Sequence, residues 1–151
     1  MSILQTATTS FKVQLLQAVH NFGPTSPNTF KVALFTGAAN LSADTTAYTV
    51  GMTGEVSGTG YTAGGNTLVI STSPTSGNNS ASVPTAFISF NNSTWTNASF
   101  TARGALIYND SVAGDPSVAV LDFGADKTVT NDTFQIIFPT PDANSAIVRI
   151  S

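Results

Sequence analysis

The 151-residue chain contains no cysteine. That excludes a disulfide framework, a thiolate nucleophile and a cysteine-ligated zinc site, and it is compatible with folding in a reducing cytoplasm. Charge is scarce as well: 9% of residues are Asp, Glu, Lys or Arg, against about 25% in ordinary soluble domains. The basic residues, Lys12, Lys31, Arg103, Lys127 and Arg149, are scattered along the chain. Binding to nucleic acid or to an anionic membrane needs clustered cations, so neither partner is expected. No apolar run approaches the ~18 residues that span a bilayer. Residues 1–12 lack the positive stretch and apolar core of a secretory signal. Fixed-period repeats and linker-like segments are also missing, so residues 1–151 read as one domain.

What is present is a hydrophobic fraction of 41% and a polar remainder built from Thr, Ser, Asn and Gly. A chain of this length buries about 68–70% of its unfolded surface and needs neither metal nor disulfide to fold. Thr-rich, charge-poor sequence suits pleated sheet, where β-branched side chains pack well.

The apolar spacing Phe11, Leu15, Ala18, Val19 and Phe22 predicts a short amphipathic helix from Ser10 to Asn21, with Ser10 as N-cap and Gly23-Pro24 as its end. It either covers one face of a sheet or protrudes to dock on a neighbour. From Thr29 to Phe35 the period becomes two, which predicts a half-buried strand with Phe30, Val32 and Leu34 on one face. Leu41 to Thr53 reads as a connection and Gly54 to Gly65 as a turn-rich loop. Further strands are expected at Asn66–Thr72, Ala81–Phe90, Phe100–Asn109, Val118–Phe123, Thr133–Phe138 and Ala146–Ile150. The segments Ser73–Ser80 and Asn91–Asn97 read as loop and polar stretch. The fold expected is mainly β: an antiparallel, jelly-roll-like β-sandwich with one short N-terminal helix.

Catalytic chemistry has few candidates. The single histidine, His20, falls at the end of the expected helix, where its charge would favour the dipole. Most carboxylates stand in turn contexts, where Asp bonds its own backbone. Asp122-Phe123-Gly124 spells a kinase triplet, but the catalytic-loop pattern is absent. The glycine loop lacks the Gly-Lys-Ser/Thr of a phosphate cradle. No enzymatic activity, cofactor or metal is expected. Glu55 is the only glutamate, and Arg103 sits in an alternating apolar strand. Arg103 either points to solvent or pairs with a carboxylate, and Glu55 and Asp122 are both available. Tyr48, Tyr61 and Trp95 lie in polar stretches and are either core residues or, with Phe11 on the helix, interface anchors.

Four runs carry a resemblance. They are Phe11-Lys12 to His20-Asn21-Phe22; Thr29-Phe30-Lys31-Val32-Ala33-Leu34; Glu55-Val56-Ser57-Gly58-Thr59-Gly60-Tyr61-Thr62-Ala63-Gly64-Gly65; and Thr101-Ala102-Arg103-Gly104-Ala105-Leu106-Ile107-Tyr108. Together the chain resembles a family of small virion proteins of tailed bacteriophages, and the run from Glu55 is its most specific part. The resemblance covers most of the chain and implies a structural role in the particle, made in the host bacterial cytoplasm. It brings no catalytic residues with it. The expectation is a capsid decoration protein clamping major capsid subunits, in the form of a homo-oligomer, a trimer at capsid threefold positions. A neck, tail or tail-tip component and a surface carbohydrate-binding module are the alternatives.

Overall fold

In the computed structural model, which describes residues 1–151, the period-two segments become eight strands. They are β1 (Thr6–Ala7), β2 (Phe30–Phe35), β3 (Asn66–Leu68), β4 (Ile70–Asn78), β5 (Pro84–Phe90), β6 (Ser93–Asn109), β7 (Ser117–Ile136) and β8 (Val148–Ile150), with one helix, α1 (Thr9–Leu16). Two antiparallel sheets pack together, in the orders β1-β7-β6-β2-β3 and β4-β5-β8. This is the β-sandwich that the alternation predicts, divided five and three.

The helix is shorter than the spacing predicts. Thr8, not Ser10, is the N-cap, accepting from the Phe11 N–H at 3.3 Å. The helix closes with Ala18 in the left-handed region at φ 57°. Val19 N–H bonds Gln14 O and Ala18 N–H bonds Leu15 O, the paired contacts of a Schellman end. Ala18, Val19 and Phe22 therefore lie beyond the helix. Of its own residues only Phe11 is fully buried, while Leu16 is 92% exposed, so its apolar face is weaker than the spacing implies.

Strand β2 is buried on both faces, not one. Phe30, Val32 and Leu34 enter the main core, and Ala33 and Phe35 join a second cluster with Leu41, Tyr48 and Tyr108. The connection after β2 folds back over the outer face of the sheet and supplies that cover. The expected loop at Ser73–Ser80 is largely strand β4, and the polar stretch around Trp95 is the start of β6.

The segment at Val118–Phe123 and all but the last two residues of Thr133–Phe138 belong to one strand, β7, which pairs with β6 from Ser93↔Ile136 to Tyr108↔Ser117. This ribbon doubles back on itself. Phe123 and Phe134 would stand about 36 Å apart on a straight strand, yet their ring centroids are 6.1 Å apart. Left-handed backbone at Gly124 (φ 76°), Asn131 (φ 49°) and Asn97 (φ 50°), with register shifts around Ala98, produces the bend.

One seam of the sandwich is closed by the chain itself: only Val69 separates β3 in one sheet from β4 in the other. The opposite seam, between β1–β7 and β8, has no strand pairing across it, and α1 lies along part of it.

Candidate functional site

The run from Glu55 to Gly65 is held against the sheet by its only carboxylate. A bridge between Phe35 and Glu55, with Val56 N–H bonding Leu34 O, fixes the loop's entry beside β2. Glu55 Oε1 then accepts from the Tyr61 hydroxyl at 2.9 Å and from the Gly64 N–H at 2.7 Å. The Tyr48 hydroxyl donates to the same carboxylate at 3.0 Å. Tyr61 Oη also accepts from Leu34 N–H at 3.1 Å, and Tyr108 donates to Gly64 O at 2.8 Å. Tyr48 and Tyr108 stack at 4.5 Å. Gly65 ends the loop at φ 72°, where a Cβ would collide with the Val32 carbonyl, so only glycine fits.

Burial raises the pKa of all three phenols; for Tyr48 and Tyr61 the hydrogen bond and charge of Glu55 push the same way. They stay protonated and act as donors. Three donors of its own chain converge on the carboxylate, and the arrangement fixes a loop rather than presenting a reactive group.

The structure does not pair Glu55 with Arg103. Arg103 Nε meets Asp122 Oδ1 at 3.3 Å, with side-chain exposures of 37% and 27%. The reason is topological: Gly104 pairs with Asp122 across the β6–β7 ladder, while Glu55 is turned toward the tyrosines. Asp122 also accepts from Gly124 N–H at 2.9 Å, and Asp142 accepts from the Asn144 and Ser145 N–H groups. Turn chemistry therefore occupies these carboxylates. No group of three or more His, Cys, Asp or Glu is placed to hold a metal ion.

His20 lies beyond the helix, not at its end. Its Nδ1 accepts from Asn109 Nδ2 at 3.1 Å, which places the proton on Nε2, donated to Gln14 Oε1 at 2.9 Å. Asn109 Nδ2 also donates to Asn28 Oδ1 at 2.9 Å. Burial lowers the His20 pKa to about 4, so the ring is neutral at pH 7. It sits among Phe11, Phe22 and Phe30.

The aromatic interface candidates are placed inside the chain. Phe11, Tyr48 and Trp95 are 2%, 4% and 4% exposed, and Tyr61 packs partly buried against Trp95 and Phe100. The core alternative is the one seen for Phe11, Tyr48 and Trp95, and Tyr61 is partly covered. Sequence reasoning missed Tyr108, Gly64 and Asn109 as members of these networks. Tyr108 was placed on a strand, but nothing in the spacing joins it to a loop more than forty residues earlier.

Comparison with protein-family models, with curated proteins and with solved structures finds no match for the chain.

Proposed function

We propose that the chain is a non-enzymatic structural component of a tailed-bacteriophage particle, acting as a decoration protein on the outer surface of the capsid shell. The observation that carries this reading is the use made of the Glu55–Gly65 run. It bears the most specific part of the resemblance, and its carboxylate, the Tyr61 hydroxyl and the Gly64 main chain hold the loop against the sheet. His20 and the turn aspartates are likewise bonded within the chain. A rigid, charge-poor β-domain suits a role in which identical contacts repeat by symmetry across a shell.

Cryo-EM of the particle, with copy number from quantitative mass spectrometry, tests the proposal. Copies on the order of hundreds, seated on the shell, are expected for a symmetric capsid lattice. Copies on the order of ten, with density confined to neck or tail, would assign it to that ring instead.

A further inference from the structure

The open seam of the sandwich has the shape of a missing strand. Beyond Val120, the side of β7 turned away from β6 meets no other strand, and β8 is paired only with β5. In an antiparallel ladder alternate residues direct both N–H and C=O away from the partner, so this edge presents main-chain groups that no strand matches, although the Thr133 N–H is taken by Asp132 Oδ1 at 2.7 Å. Its first stretch is guarded: Asp122, Asp126, Lys127 and Asp132 place charge along it, and Gly124 and Asn131 kink it. Charges and bulges are the usual protection of an edge. The final stretch, Thr133-Phe134-Gln135-Ile136, with Ile137 just past the strand's end, has neither charge nor kink, and Ile137 is 73% exposed. Beside it opens a cavity of about 480 Å³ lined by Leu121, Phe123, Phe134, Ile136, Ile137 and Ile147.

We infer that Thr133–Ile137 and this cavity accept an extended segment of another protein chain by strand addition. Main-chain groups in a row are matched only by another extended backbone. The apolar lining calls for apolar side chains at alternate positions of that segment, since a strand sends every second residue to one face. Two charged residues line the same cavity: Asp122 is held by Arg103, whereas Lys127 belongs to neither salt bridge of the chain, so the segment carries a carboxylate at the end that meets Lys127. A second copy of this chain fits less well. Pairing two such five-residue edges joins only about 17 Å of strand and leaves the cavity unfilled.

The inference is independent of where, or whether, the protein sits in a virion. The test is an NMR titration of the isotope-labelled full chain with the peptide acetyl-Glu-Thr-Val-Thr-Val-Thr-amide. Shifts are expected at the amides of Thr133–Ile137 and Lys127. Affinity should fall at least about tenfold in Ile137→Asp, a change worth ~1.4 kcal/mol, and measurably in Lys127→Ala; both positions are exposed, and unchanged melting temperatures would establish that the variants fold. A peptide with proline in place of both valines, lacking two donors, should not bind. Shifts that are absent, lie elsewhere or persist with the proline peptide would overturn the inference. So would concentration-dependent shifts of the protein alone that Ile137→Asp abolishes, because these would give the edge to a second copy.

Discussion

Removing the Glu55 carboxylate tests the network on which the loop depends. In Glu55→Ala the hydroxyls of Tyr48 and Tyr61 and the N–H of Gly64 lose their common acceptor. A hydrogen bond to a charged group contributes about 1.5–3 kcal/mol, and a buried donor left unsatisfied costs about 1–3 kcal/mol. Glu55 and Tyr61 are only partly buried, so water can replace part of what is lost. The low end then applies, about 1 kcal/mol for each of three donors, or about 3 kcal/mol in all. At this chain length each kcal/mol moves the melting temperature by about 2–4 °C, which predicts a fall of about 6–12 °C by differential scanning calorimetry. Glu55→Gln keeps one acceptor oxygen but turns an NH₂ toward a donor, and should lose roughly half as much. Tyr61→Phe supplies the control. If the two side chains act through each other, the double variant Glu55→Ala/Tyr61→Phe falls short of additivity by about 1 kcal/mol. A melting temperature of Glu55→Ala within ~2 °C of the parent, or full additivity with Tyr61→Phe, would refute the reasoning.

Three other predictions follow from particular contacts. Folded His20 titrates at about 4 against 6.5 for the free side chain, so between those values the unfolded chain binds a proton that the folded one refuses. Stability should therefore fall as pH drops from 6.5 toward 4; His20→Gln should flatten that part of a urea-midpoint profile, and identical slopes would contradict the assignment. Gly65→Ala should cost more than about 3 kcal/mol, since left-handed strain adds to a collision with Val32, whereas Gly124→Ala, with open space around it, should cost about 1 kcal/mol by chemical denaturation. Arg103→Ala should cost less than about 1 kcal/mol, because its single contact to Asp122 is partly solvated; a larger loss would show the pair to be stronger than its geometry.

The alternating segments made most of the sheet legible. Phe30 to Phe35 and Phe100 to Asn109 are strands because alternation and their β-branched and aromatic residues agree there. Where the reading failed, tertiary contacts overrode local pattern. Ser73–Ser80 carries loop-forming residues, yet pairs with β5 because the neighbouring edge is available. Residues 124–132 look like a break between two strands, but the break is a bend within one: Gly124 and Asn131 turn the ribbon without ending its pairing. The site was only half legible. Glu55 stood out as the only glutamate, and its nearest tyrosine lay six residues on. Beyond the loop, Tyr48 of the preceding connection donates to Glu55 and Leu34 of β2 donates to Tyr61, and no spacing rule joins them. Arg103 was ambiguous because either carboxylate could reach it, and only the ladder register chooses Asp122.

The contrast along β7 bears on function more than the core does, because packing does not explain it. Phe134 and Ile136 are required inside, where both pack on the main core. Gln135 and Ile137 point outward and are exposed. A lysine at either position would guard the edge as the charges nearer Asp122 do, with no side chain displaced from the core. Foldability therefore does not account for an isoleucine at 73% exposure on an unpaired edge beside an apolar cavity. Such an edge is a liability in isolation, and it is harmless only if something covers it in the assembled state. Gln135→Lys and Ile137→Lys should each leave the melting temperature within ~2 °C of the parent. If either change unfolds the chain, the bare edge serves packing after all, and the case for a docking strand loses its premise.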